Sequence, residues 1–247
     1  MKLRWEYITA VGGLLVMWWL LYLWLGEQII AEPRATFTLL WEELGEQKFR
    51  AHITASLWRI LAGMLVALAA AVPLGLAAGS SPRLDRWLKP VLYLTYPLPK
   101  IVFLPLLLML MGIGNGSKIA LIAIILFFHL LATTRDAARA VPPSAVTSLR
   151  SLGGGPWQLF VHVYWPATLP ALFTSLRIAT GTVVAVLFFV ETIATTKGIG
   201  AYIYNAWSQT NITGMAVGII VLSLIGILLY ELFDLLERRL CRWTGYR

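Results

Sequence analysis

Four ionisable side chains, Arg59, Lys100, Arg177 and Glu191, fall inside stretches that are otherwise apolar. A charge in the hydrocarbon core of a bilayer costs roughly 2.5–3.5 kcal/mol on insertion scales, so such groups are paired or face water. Arg59 lies near one end of its stretch, and two readings are open: a side chain that snorkels to the surface, or one that pairs with Glu191. Glu191 either makes that structural pair or lines the outer end of a route. Lys100 follows Pro97 and Pro99, where a helix breaks. Irregular backbone at membrane depth is tolerated only inside protein or along a cavity. Lys100 therefore faces a route or reaches back to headgroups. Arg177 lies near mid-depth, where snorkelling explains least; it lines a route or is structural. Arg177 and Glu191 share a helix face but lie about 21 Å apart at 1.5 Å rise per residue, too far to pair with each other. Two cations at depth suit an anionic cargo, because they lower its cost of crossing. His129 is a lone histidine, read as a core hydrogen-bonding group rather than a proton relay. His52 and His162 lie near interfaces.

Other chemistry is missing. The string nearest to a phosphate-binding loop, Gly112 to Ser117-Lys118, has serine where the second glycine belongs, so ATP hydrolysis is not expected on this chain. No Cys/His spacing predicts a metal site, no carboxylate pair predicts acid–base catalysis, and the single Cys241 permits no intrachain disulfide.

The elements that position these residues follow from composition. Of 247 residues, 59% are hydrophobic and 13% charged, and the mean hydropathy is +0.76. A soluble fold of this size cannot bury so much apolar surface, so the expected fold is all-α and membrane-embedded. A bilayer core about 30 Å thick takes roughly 20 helical residues. Six spans of that kind are read at about 7–26, 53–79, 91–112, 117–134, 167–195 and 212–236. The first is too long and too aromatic for a cleaved signal. The net charge of +8 belongs to loops rather than to a nucleic-acid surface. Lys2, Arg4, Arg83, Arg86, Lys89, Arg135, Arg139, Arg150, Arg238, Arg239, Arg242 and Arg247 fall on one side, against Arg34, Lys48, Arg50, Lys118 and Lys197 on the other. The positive-inside rule then puts both termini in the cytoplasm. The expected organisation is an N-terminal helix and outer loop over 1–50, a core over 51–240 and a tail over 241–247.

The connection 135–166 is patterned. Pro142-Pro143 starts a short helix over Ser144 to Leu152, with Ala145, Leu149 and Leu152 on one stripe. Gly153-Gly154-Gly155 stops it, and Pro156 prevents continuation. Two readings are open: a helix lying on the inner leaflet, or a rigid knob that docks in a partner's groove.

This segment resembles the cytoplasmic signature of ABC importer permeases: Glu-Ala-Ala, three residues, Gly, nine residues, Ile-x-Leu-Pro. Thr147-Ser148-Leu149 takes the Glu-Ala-Ala place, Gly153 follows at the right spacing, and Val163-Tyr164-Trp165-Pro166 closes it. The acidic residue is absent. Further strings resemble the nitrate/sulfonate/taurine branch: Ser56 to Gly63 with Pro73-Leu74-Gly75, Pro97-Leu98-Pro99 with Leu104-Pro105-Leu106, Gly112-Ile113-Gly114, Ser175 to Ala179, and Glu191 with Gly198-Ile199-Gly200. The similarity covers about residues 33–240.

The resemblance implies a type I importer permease fold with a cytoplasmic coupling helix at about 143–155, carrying Ser144, Ala145, Thr147, Ser148, Leu149, Leu152 and Gly153, with Pro166 beyond it. It implies a multi-pass protein of the bacterial inner membrane, set in lipid, that binds no cofactor itself. Its partners would be a second permease copy, two ATPase subunits holding ATP and Mg, and a periplasmic or extracellular substrate-binding protein. Its cargo would be a small anion such as a sulfonate, nitrate or bicarbonate. The competing expectation is a self-sufficient secondary transporter or channel.

Overall fold

The computed structural model describes residues 5–193 and 195–245. Lys2, Arg4 and Arg247 of the charge balance lie outside the described residues, as do Ala194 of the fifth predicted span and Tyr246 of the tail. Every regular element among the described residues is helical. In chain order the helices are α1 (Trp5–Leu25), α2 (Pro33–Gly45), α3 (Gln47–Ser80), α4 (Pro82–Thr95), a short tight helix (Lys100–Phe103), α5 (Leu104–Met111), α6 (Asn115–Arg139), α7 (Pro143–Ser151), α8 (Pro156–Leu159), α9 (Trp165–Thr192), α10 (Ile199–Ser208) and α11 (Ile212–Leu240). A wide turn over Phe160–Tyr164 joins α8 to α9.

Five helical stretches are long and apolar enough to cross a membrane: 5–25, 47–80, 115–139, 156–192 and 212–240. The third predicted span differs. Its helix starts earlier, at Pro82, and breaks at Tyr96–Pro99, so that α4 and the 100–111 segment meet at 86°. Pro82 in the first helical turn explains the early start. Arg83, Asp85, Arg86 and Lys89 make the first half of this helix amphipathic, which an apolar-run reading passes over. Pro97 and Pro99 each remove a backbone donor from the break.

The residues group into two compact units, one of 1–57 with 191–224, the other of 58–190 with 225–247. In the second unit, α3 presents Gly63, Ala67, Ala71, Gly75 and Gly79 at four-residue spacing. A methyl added at Gly63 would lie 2.6 Å from Ile122 Cγ2, one at Gly75 2.8 Å from Thr134 Cβ, and one at Gly79 2.5 Å from Ala138 Cβ. Small residues let two membrane helices approach closely. The offset between partners is constant, so α3 and α6 run parallel. Two parallel helices cross in the same sense only if the chain between them returns. The bent 82–111 segment is that return, which raises the candidate crossings from five to six. Along α9 and α11 the order reverses, Val184 lying beside Gly226 and Arg177 bonding Asp234, so this pair is antiparallel.

In the first unit, Phe49 is 1% exposed and packs edge-on against Tyr202 at 4.9 Å. Thr36 and Ile199 are fully buried. Tyr202 Oη donates to Glu43 at 3.1 Å, and burial, with this carboxylate beside it, pushes the phenol well above its usual pKa. Helix α1 buries none of its residues; Trp18 Nε1 donates to Ala31 O at 3.1 Å.

Candidate route and coupling helix

Helix α7 stands where Ser144 to Leu152 was predicted, shifted by one residue to Pro143–Ser151. Pro143 occupies its first turn. Thr147 Oγ1 donates back to Pro143 O and Ser151 Oγ to Thr147 O, both at 3.0 Å. No residue of α7 is buried. Ala145 and Leu149 are half-buried, while Ser144, Thr147 and Ser148 are exposed. Leu152, just past the helix, is 85% exposed.

Gly153 takes φ +81°. Its N–H donates to Arg150 O and that of Gly154 to Leu149 O, both at 2.9 Å. This is the paired hydrogen-bond pattern of a left-handed helix stop. A side chain on Gly154 would lie 2.7 Å from Leu149 O, so the next position is also restricted to glycine. Gln158 Oε1 accepts the Gly155 N–H at 2.8 Å and fixes the start of α8. Trp157, Phe160 and Trp165 then stack in series at 5.5 and 6.5 Å. Pro166 lacks the N–H that a regular helix would need there, and the chain widens over the turn just before it.

Immediately upstream, Asp85 of α4 accepts from both Arg135 and Arg139 in the last turns of α6, the latter at 2.6 Å. This clamp was not read from the sequence, because its partners are 50 and 54 residues apart.

Arg59 is 4% exposed and donates to Asn115 Oδ1 at 2.9 Å. Glu191 is fully buried; it accepts from Ser56 Oγ at 2.9 Å and from Gly200 N at 2.8 Å. Ser56 Oγ also accepts the Ile199 N–H at 2.8 Å. Glu191 thus satisfies a donor in the first turn of α10, where a carboxylate is favoured. Gly198 holds φ +136°, and a side chain there would lie 2.5 Å from the Glu191 carboxylate oxygens. Nδ1 of His52 lies 2.8 Å from Gly198 O and 3.0 Å from its N.

Arg177 is 11% exposed. It bonds Asp234 at 2.9 Å, meets Glu237 at 2.5 Å and donates to Thr174 at 3.1 Å. Both acids come from the last turns of α11, and Arg238 also pairs with Asp234 at 2.8 Å. Lys118, assigned to the outer loop charges, is fully buried in the first turn of α6; its ammonium donates to Ile113 O at 2.6 Å and Gly114 O at 3.2 Å.

Lys100 opens the short helix after the break. Its ammonium donates to Tyr96 O at 3.2 Å and Leu98 O at 3.4 Å, and it lies 5.2 Å from the Phe128 ring centroid. It lines a cavity of about 180 Å³ together with His129, Thr182 and the apolar side chains of α6 and α9. A lysine that caps freed carbonyls at a helix break and lines a cavity fits the rule for irregular backbone at membrane depth.

Residues 71–242 match the family described as binding-protein-dependent transport system inner membrane component. The chain is 30% identical to the taurine transport system permease protein TauC of Escherichia coli (strain K12), over 99% of this chain and 94% of the relative. It is 30% identical to the aliphatic sulfonates transport permease protein SsuC of the same organism, over 97% and 87%. Its fold is similar to that of the inward-facing MetNI methionine ABC transporter, with a TM-score of 0.66 at 18% identity over 76% of this chain and 94% of that one. It is also similar to a bacterial ABC transporter that imports alginate, with a TM-score of 0.64 at 18% identity over 96% of each chain.

Proposed function

The chain belongs to the family of binding-protein-dependent transport system inner membrane components, and from that premise we propose how its parts divide the work. It is the multi-pass inner-membrane permease of an ATP-binding-cassette importer, not an enzyme; in these importers ATP is hydrolysed on separate chains. Family membership decides for this reading over a self-sufficient carrier or channel.

Helix α7 is the coupling helix. The observation that carries this is its form: an exposed helix with no buried residue, stopped at a fixed angle by the left-handed Gly153. Such a rigid, open face fits a groove in a partner, here an ATPase subunit that holds ATP and Mg. A second copy of this chain completes the route, each copy carries one ATPase subunit, and a binding protein delivers cargo from outside. Both termini lie in the cytoplasm, on the side of α7. Closure of the ATPases turns the two knobs, shuts the inner gate and opens the outer one. Hydrolysis then resets the inward state.

The cargo is a small anion. Two relatives carry taurine and aliphatic sulfonates in their names, and Lys100 lines a cavity at membrane depth. Arg59, Arg177 and Glu191 brace the helices around the route, since each is held by the buried contacts described above.

The test is to purify the tagged chain with its native neighbours and weigh the complex. Two permeases with two ATPases are expected; a chain that comes out alone and transports without ATP overturns the reading. Gly153→Val forces a β-branched residue into the left-handed region, at about 1–2 kcal/mol. The complex should still assemble and hydrolyse ATP while uptake falls about tenfold or more, since 1.4 kcal/mol of lost coupling is a factor of ten. Wild-type uptake by this variant would remove α7 from the coupling path.

A further inference from the structure

We infer that the Lys100 cavity is a sulfonate subsite at membrane depth, with the ammonium of Lys100 as its anion-binding centre and Thr182 and His129 on its polar wall. This rests on the reading of the chain as an importer of small anions.

Three observations carry the inference. First, the charge of Lys100 is not balanced as that of Arg177 is. Arg177 has two carboxylates, whereas Lys100 has two neutral carbonyls and two aromatic faces, and no ion pair among the described residues includes it. An ammonium has three donors, so one remains beyond the two carbonyl contacts. An ion at this depth with only neutral partners gains from an incoming counter-ion.

Second, the cavity is open on this chain. Tyr96 is 59% and Ile178 68% exposed at its rim. A lysine-lined mouth is a poor surface for lipid tails, and a water-filled route suits it. Third, the cavity's polarity is divided. Lys100, Thr182 and His129 supply a polar wall. Nε2 of His129 is buried and has no hydrogen-bond partner among the described residues. Ile125, Leu126 and Ala179 supply apolar walls, within about 180 Å³. That division matches a head of several oxygens sharing one negative charge on a short carbon chain. A sulfonate is such a group, and it keeps its charge at every physiological pH.

The experiment uses the assembled complex in proteoliposomes, with Cys241→Ala as background and Thr182→Cys as reporter. Ile178→Cys is a second reporter on the same rim. Two thiol reagents of similar size are compared: a methanethiosulfonate bearing ethylsulfonate, and its trimethylammonium counterpart. Each transfers its thio group to the thiolate and releases methanesulfinate. Each rate is expressed relative to that of the same reagent with a free thiol in solution, and any effect of Lys100 on the thiol's own pKa acts on both reagents alike, so the ratio of these normalised rates reads the field on the reagent.

The ethylsulfonate reagent should react roughly tenfold faster than the cationic one, the scale of electrostatic enrichment in a charged cleft. Lys100→Gln should abolish this preference and Lys100→Arg should restore it. Free ethanesulfonate should slow the reaction only where residue 100 is a cation. No anionic preference at either reporter, or a preference that survives Lys100→Gln, overturns the subsite. ATP-driven uptake of labelled ethanesulfonate by the unmodified complex is measured separately. Uptake without the preference sinks the subsite and keeps the cargo reading. The preference without uptake of this or any other short sulfonate keeps the subsite and sinks the cargo reading.

Discussion

Arg177 and Lys100 are both cations within apolar stretches, and their partners separate their roles. Removing Arg177 takes this cation from the buried Glu237, while Asp234 keeps Arg238. Breaking a buried pair by deleting one partner costs about 3–5 kcal/mol, mostly from the charge left behind. Arg177→Met should therefore lower the stability of the detergent-solubilised complex by about that much, read as a fall in Tm, and Arg177→Met with Glu237→Gln should recover part of it. An unchanged Tm for the single variant would show that the pair carries no structural load. The sequence could not separate these two lysine and arginine roles, because Arg177 is 57 residues from Asp234. The break around Lys100 was legible, because proline announces it locally. Cys241, just past α11, is 2% exposed, and burial followed by the nearby Glu237 charge raises its thiol above the usual pKa. Thiolate is the reactive form. Maleimide at neutral pH should leave the folded chain unmodified and label it fully only after denaturation; rapid labelling of the native complex would contradict this burial.

Among the elements, α7 is legible to within a residue, whereas α4, although Pro82 opens it, starts nine residues before the span read at about 91–112, and α2 and α10 are not legible as helices at all. Helix α7 is bounded by Pro142-Pro143 and Gly153, both local signals. Helices α2 and α10 fall in stretches taken as connections, because each is short and mixes polar with apolar residues. The parallel pairing of α3 with α6 also escaped. Alanine and glycine content marks a helix that packs closely, but only the register names its partner. Gly75 sits in the middle of that seam, where an added Cβ would already touch Thr134. Gly75→Leu should cost about 1–3 kcal/mol, the usual range for overpacking. The same change at Gly12, with nothing within 4 Å, should leave Tm unmoved. Equal effects at the two sites would mean that the seam is not closely packed.

At the scale of the whole chain, orientation ties charge to function. Arg83 and Arg86 follow the end of α3, Arg135 and Arg139 close α6, and Arg238 and Arg239 close α11. The parallel register of α3 with α6, and the antiparallel one of α9 with α11, give these three helix ends the same side. Lysine and arginine accumulate on the cytoplasmic face because translocating them is disfavoured. Helix α7, which follows α6 directly, is then expected in the cytoplasm, as the proposed contact with an ATPase requires. Gln209, just before the start of α11, is expected on the opposite side. Single cysteines at Ser148 and Gln209 in a Cys241→Ala background test this in intact spheroplasts. A membrane-impermeant maleimide should label the Gln209→Cys chain from outside and spare Ser148→Cys until the membrane is opened. Labelling of Ser148→Cys from outside would invert the topology, and it would remove α7 from any contact with a cytoplasmic ATPase.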